Sequence, residues 1–177
     1  MAIEIADVLR ILATHLRAKG YKRTRSKFTR VREEVINLVE LQKLRVPDGG
    51  LAFFVNLGIM VPSIFHGMKL EHASYAECHW ARRLATAEGR EIRYEAASFE
   101  TARALADDVF ATLVEVGLPQ LDARQTESSL IEEWQRGAAS NLSDFSRTRL
   151  LNELLKRAGR TDELVPEVAL GAWSPDK

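Results

Sequence analysis

The chain has 177 residues, 46% hydrophobic and 28% charged, and its Lys+Arg and Asp+Glu totals are both 25, for a formal net charge of zero. That length matches one domain with a core large enough to stand without staples. The charge balance leaves no global field to gather nucleic acid or an anionic membrane. Cys78 is the only cysteine, which excludes an intrachain disulfide and fits a reducing compartment. The opening Met1-Ala2-Ile3-Glu4 lacks the basic and apolar regions of a signal peptide. No apolar run approaches the roughly 20 residues of a membrane helix. A soluble, cytoplasmic protein is expected.

Ile5, Val8, Leu9, Leu12 and Leu16 recur at helical spacing, predicting an amphipathic helix over 3–19, with Gly20 as its left-handed stop. From Arg17 to Arg32 the chain is basic, with Lys19, Lys22, Arg23, Arg25, Lys27 and Arg30 and no acid. A short strand is expected around Phe28–Val31.

Residues 35–61 organise the rest. Val35–Lys43 and Leu51–Val61, separated by Pro47-Asp48-Gly49-Gly50, read as two adjacent antiparallel strands. Phe53, Val55, Leu57 and Ile59 share one face; Phe54, Asn56, Gly58 and Met60 share the other. Val35, Asn37, Val39 and Leu41 alternate in the same way with Ile36, Leu38, Glu40 and Gln42. Each strand has an apolar face and a mixed one, as in a sheet covered by helices on one side and partly on the other. After a loop with a helical turn over 62–74, Cys78–Ala85 reads as a further strand. A turn at Glu88-Gly89 leads to Glu91–Glu95 as its hairpin partner.

The remainder is predicted helical. Ser98 is the expected N-cap of a helix whose stripe runs from Phe99 through Ala102, Leu105, Ala106, Val109, Phe110 and Leu113 to a stop at Gly117. Leu118-Pro119 then opens a connection. Thr126 caps a helix carrying Leu130, Ile131 and Trp134. Another helix, over about 144–158, buries Phe145, Leu150, Leu151, Leu154 and Leu155 and stops at Gly159. Thr161 caps a last short helix, and Trp173–Lys177 is expected to fray.

With these elements placed, the chain resembles a bacterial family catalogued as domain of unknown function 4304. The matching residues are Gly20-Tyr21-Lys22-Arg23, Phe28-Thr29-Arg30, Val35-Ile36-Asn37-Leu38 running to Gln42-Lys43, and Phe54-Val55-Asn56-Leu57-Gly58-Ile59. Arg82-Arg83-Leu84 and Gly117-Leu118-Pro119 match more loosely. The resemblance spans roughly residues 1–122. It implies a fold and no assigned activity.

Several side chains carry possible chemistry. Asn56 faces the mixed side, where its amide would bond a ligand or a loop backbone, and Gly58 beside it leaves room for a close approach. Asn37 is a candidate for the same face. Of the neighbours Arg82 and Arg83, one should face each side, and an arginine beside Asn56 would form a bidentate anion site or pair with Glu40 or Glu95. Cys78 and His79 are adjacent on a strand and so point apart, which argues against a thiolate–histidine dyad. His66, His72, Cys78 and His79 match no close zinc-ligand spacing. Lys22, Arg23 and Arg25, with Tyr21 and Phe28 interleaved, would suit a phosphate backbone or an acidic partner; a solvated turn and strand edge is the plainer reading, and Phe28 is expected to face the core. There is no glycine-rich phosphate loop, Gly-x-Ser-x-Gly or His-Glu-x-x-His, so no catalytic set, cofactor or metal is called for.

The expected fold is α+β: an antiparallel sheet of about four to five strands packed by helices 3–19 and 99–116. Residues 1–122 form the α+β domain, and 123–177 a helical C-terminal extension packed on it. The favoured function is a non-catalytic module that binds a protein partner, antidote-like by fold-level analogy alone, with a second copy of the chain as one possible partner. The alternative is a small-ligand binder or enzyme in which Asn37, Asn56, His79 and Arg82 or Arg83 converge on the mixed face. Nucleic-acid binding through Lys22, Arg23 and Arg25 is the further alternative.

Overall fold

The computed structural model describes residues 3–47, 50–66, 74–137 and 141–166. Helix α1 (Ile5–Arg17) buries Val8, Leu9, Leu12 and Leu16, the stripe expected of it. It ends as predicted. Gly20 takes φ +84°, and the Tyr21 N–H donates back to the Leu16 carbonyl at 3.0 Å.

An antiparallel sheet of six strands follows: β1 (Lys22–Thr24), β2 (Lys27–Val31), β3 (Ile36–Lys43), β4 (Ala52–Met60), β5 (Trp80–Arg83) and β6 (Arg93–Glu95). The order is β1-β2-β3-β4-β5, with β6 also paired to β4. β1 was not anticipated because its three residues are all exposed and carry no apolar periodicity to read. Its hairpin to β2 turns through Arg25 at φ +57°.

The expected hairpin between 78–85 and 91–95 holds only at its closed end, around Ala85 and Glu91, and is corrected along its strands. Arg93–Glu95 pairs with Phe54–Ala52, whereas Trp80–Arg83 pairs with Ile59–Asn56. β5 and β6 therefore lie end to end along one side of β4. Between them only Ala85 and Glu91 bridge, and the Ile92 N–H donates to the Leu84 carbonyl at 3.0 Å. The residues between form a tight turn, the Thr86 N–H donating to the Arg90 carbonyl at 2.9 Å. Two buried apolar partners, Phe53 and Tyr94, stacked at 5.4 Å, secure β6 on β4.

The register sorts the faces. Phe28, Val39, Leu57 and Trp80 belong to one face, and all four are essentially buried in the main core. Leu38, Gly58 and Ala81 align on the other, where Leu38, Met60, Cys78 and Ala81 form a second, smaller apolar cluster. Phe28 faces the core, as expected.

Helix α2 (Ala102–Thr112) packs along α1, with His15 stacked on Phe110 at 4.7 Å. Two expectations about it are corrected. Its N-cap is Thr101, whose hydroxyl accepts from the Ala104 N–H; Ser98 ends a preceding 3-10 turn, Ala96–Ser98. Nor does the helix stop at Gly117. It passes through a π-helical turn (Leu113–Gly117) into α3 (Leu118–Asp122). Pro119 is accommodated in the first turn of α3, where its missing N–H is harmless. A Cβ at Gly117 would come within 3.0 Å of both Leu84 and Leu113. The glycine serves close packing of helix on sheet.

Helices α4 (Glu127–Gln135) and α5 (Asp144–Arg157) begin at Thr126 and Ser143, whose side chains accept first-turn N–H groups. Their Leu130, Ile131, Trp134, Leu151, Leu154 and Leu155 belong to the same continuous core as the sheet. Phe145 and Leu150 are only half-buried, short of the burial expected. Gly159 ends α5 at φ +73°. Thr161 lies within the final 3-10 turn (Thr161–Glu163) and does not cap it. Trp173–Lys177 lies outside the described residues. Among the described residues no helix is long and apolar enough to cross a membrane.

Candidate functional site

The named polar residues fall into three separate places. Asn37 pairs in register with Ile59 and Arg30, on the helix-covered face, and is fully buried. It does not join Asn56. Around it lie Tyr21 and Arg30, the guanidinium 4.8 Å above the Tyr21 ring. The Tyr21 hydroxyl lies against the Asn37 amide, and the Arg30 Nε is buried without a hydrogen-bond partner among the described residues. Arg30 bonds Asp122 at the end of α3, and Arg32 approaches the same carboxylate at 3.7 Å. Burial pushes the Tyr21 phenol up to about 12, against the lowering pull of Arg30 and of the Asn37 amide.

The second place is the mixed face. Glu40, Asn56 and Arg83 stand in register across β3, β4 and β5. Asn56 is 2% exposed; its Nδ2 donates to Gln42 Oε1 at 3.0 Å, while its Oδ1 has no partner among the described residues. Arg83, rather than Arg82, is the arginine beside Asn56. It pairs with Glu91 at 2.8 Å, not with Glu40 or Glu95, and stacks 4.2 Å over Phe54. Arg82 is exposed and in register with Leu57 on the opposite face. A 3-10 turn, Tyr75–Glu77, closes one side: the Tyr75 N–H donates to Glu40 Oε2 at 3.0 Å. A cleft of about 200 Å³ remains between Glu40, Gln42, Asn56, Ser74, Tyr75 and Ala76.

Gly58 does permit a close approach, but by the chain itself. A Cβ there would lie 2.4 Å from Cys78 Sγ. The thiol sits 3.5 Å from the Ser74 carbonyl, and burial pushes its pKa well up, aided by Glu40. A thiol so placed is a poor nucleophile.

The third place is His79, buried at 7% exposure. Its Nδ1 accepts the Val61 N–H at 2.9 Å, which puts the proton of the neutral ring on Nε2. Burial pulls its pKa down to about 4. It borders a cleft of about 360 Å³ between Phe65, His66, Glu77, Phe145 and Arg149. His72 lies outside the described residues.

The convergence of Asn37, Asn56, His79 and Arg82 is therefore not what the fold builds: Asn56 and Arg83 are neighbours in register, and Asn37, His79 and Arg82 stand elsewhere. Ser74 and Tyr75 were missed as neighbours of Asn56, and Glu40 was considered only as a partner for an arginine there. The signal for Glu40 was present, since Glu40 and Gln42 place two polar residues on one face of an otherwise apolar strand. Lys22, Arg23 and Arg25 are all exposed on the β1 hairpin, with Arg23 Nε bonded to the Arg25 carbonyl at 2.9 Å.

A family model described as Domain of unknown function (DUF4304) matches residues 12–123. No curated protein matches the chain, and no solved structure does.

Proposed function

The chain belongs to the Domain of unknown function (DUF4304) family, and from that premise, which carries no activity, we propose a cytoplasmic, non-catalytic module that binds an acidic, extended segment of a protein partner along β1. The observation that carries the reading is the contrast between the two edges of the sheet. At β5 the Asn141 side chain occupies the edge: its Oδ1 accepts the Ala81 N–H at 2.9 Å and its Nδ2 donates to the Cys78 carbonyl at 3.1 Å. At β1 only β2 is paired, among the described residues, and all three side chains are exposed. An open edge offers a row of backbone donors and acceptors to an added strand. Lys22, Arg23 and Arg25 repel a second copy of the same edge and favour an acidic strand instead. The single cysteine supports a reducing compartment.

A fluorescent peptide of alternating Glu and Val tests this by anisotropy. Binding is expected to weaken at least about tenfold when Lys22, Arg23 and Arg25 are changed to Glu. It should weaken similarly when alternate peptide nitrogens are methylated, since strand addition needs those N–H groups. Equal binding of the methylated peptide overturns the reading. So does a single-stranded oligonucleotide that outcompetes the peptide with a steep salt dependence, the mark of phosphate recognition.

A further inference from the structure

We propose that the cleft on the mixed face is a binding site for a primary ammonium or guanidinium group, held by the Glu40 carboxylate and the Asn56 side-chain oxygen. The site does not depend on the β1 edge, and it rests on four features of the chain.

The first is the unpaired acceptor. Asn56 lies at the centre of β4, 2% exposed, its Nδ2 committed to Gln42 Oε1 and its Oδ1 without a partner among the described residues. Buried polar atoms are nearly always bonded, and an orphan is costly enough to require an explanation. Here the residue lines a cleft, and a donor that enters it satisfies the orphan oxygen once the amide turns toward the opening. The second is charge. Glu40 is the Cα partner of Asn56 on β3, and it also lines the cleft. A donor that reaches both atoms sits beside a carboxylate and is favoured when cationic.

The third is the treatment of the nearest arginine. Arg83 is the Cα partner of Asn56 on the other side and would suit an anion if it were available. Instead its guanidinium lies over the Phe54 ring and is bonded to Glu91, outside the residues that line the cleft. That removes the anion site expected of an arginine at this position. By register the face also carries Lys22, Lys27 and Arg93, of which Lys27 stands opposite Glu40 on β2 and Arg93 pairs with Glu95. A ligand must therefore reach Asn56 as well as Glu40 to be held, which selects groups with several N–H donors in one head. An ammonium has three and a guanidinium five.

The fourth is the rigidity of the wall. Ser74 caps its own turn through Glu77, with N–H and hydroxyl contacts of 2.8 and 3.0 Å. The Tyr75 N–H holds Glu40 Oε2, and Cys78 fills the space left open at Gly58. The wall is held in place, so the rearrangement a ligand requires is confined to the Asn56 amide. The cleft's volume of about 200 Å³ admits the head and part of the stem of a lysine or arginine-like molecule.

The same head group comes from a free small amine or from a basic side chain of a peptide. The test is a titration of isotope-labelled full-length protein followed by amide and side-chain NH₂ resonances. Methylguanidinium and n-butylammonium are the probes, and tetramethylammonium, which has the charge but no N–H, is the control. Saturable shifts of the Asn56 and Gln42 side-chain NH₂ signals are expected with the first two and not with the third. Glu40→Gln, which keeps an acceptor for the Tyr75 N–H, is expected to weaken binding about tenfold. Blocked Gly-Lys-Gly and Gly-Arg-Gly peptides binding more tightly than the free probes support a peptide side chain as the source; weaker binding supports a free amine. Equal shifts with tetramethylammonium, no saturation with either probe, or unchanged affinity in Glu40→Gln each overturn the proposal.

Discussion

At the scale of single residues, the tightest constraint is where Gly58 meets Cys78. Gly58→Ala would set a methyl 2.4 Å from Cys78 Sγ and 3.1 Å from its Cβ, so Cys78 or the strand that carries residue 58 must shift. Overpacking of this kind costs about 1–3 kcal/mol. Urea denaturation should show that loss, and Cys78→Ala in the same chain should restore part of it; a Gly58→Ala protein as stable as the parent refutes the constraint. His79 sets a pH dependence. Its folded pKa of about 4 lies below the ordinary value of 6.5 because the ring is buried neutral. Between those values the unfolded chain binds the proton and the folded one does not, so stability rises with pH across that window. The stabilisation is complete above pH 6.5 and is lost as the pH falls towards 4, by an amount on the order of 3 kcal/mol. His79→Asn keeps an acceptor for the Val61 N–H without a titrating ring. Urea midpoints measured from pH 4 to 7 should flatten in that variant relative to the parent. An unchanged slope would assign the dependence to other groups.

At the scale of elements, the end of the long central helix is tied to the sheet chiefly by the pair of Arg30 with Asp122, with Arg32 at 3.7 Å from the same carboxylate. Arg30 on β2, its side chain 9% exposed, bonds Asp122 at the end of α3, which Gln125 also holds at 3.0 Å. Asp122→Ala would leave a buried guanidinium without its carboxylate. Asp122 is itself 43% exposed, so water screens part of the loss; a destabilisation of about 2 kcal/mol is expected, less than for a fully buried pair. Arg30→Met together with Asp122→Ala should recover most of it, and failure to recover would show that Arg30 is needed for its stacking on Tyr21. This tie also marks where sequence reading stops. The strands β3 and β4 were legible because two long apolar runs alternate with a period of two, and α1 because its stripe ends in a glycine. β1 was not, since three exposed residues carry no pattern. The role of Gly117 was not either: a glycine that ends a helix and one that lets a helix approach a sheet look alike until Leu57 and Leu84 are placed beside it. For the mixed face, parity placed Asn56 and Gly58 together, but only the register shows that Glu40 and Arg83 flank Asn56 while Asn37 lies behind the sheet.

At the scale of the whole molecule, the matched family segment ends at residue 123, and the core does not. Arg124, the next residue, lies 4.5 Å over the ring of Trp80 and bonds Glu133 of α4 at 3.0 Å, which in turn accepts the Trp80 Nε1–H at 3.2 Å. Trp80 is on β5 and 1% exposed; Ile64, buried to the same degree, meets α5 through the turn Pro62–Ile64. The helices after residue 123 therefore form one wall of the sheet's own core. Fully burying one large apolar side chain stabilises by about 1.5–3 kcal/mol, and a domain's whole net stability is about 5–15 kcal/mol. Uncovering Trp80 and Ile64, with the loss of six buried residues from α4 and α5 (Leu130, Ile131, Trp134, Leu151, Leu154 and Leu155), removes a large part of it. A fragment of residues 1–123 is accordingly expected to lose its cooperative thermal transition and to bind a hydrophobic dye such as ANS, while the full chain does neither. Red-shifted Trp80 emission in the fragment would report the same exposure from inside the core. A fragment that unfolds cooperatively at the midpoint of the full chain would instead make α4 and α5 an accessory layer, added to a domain already closed at residue 123.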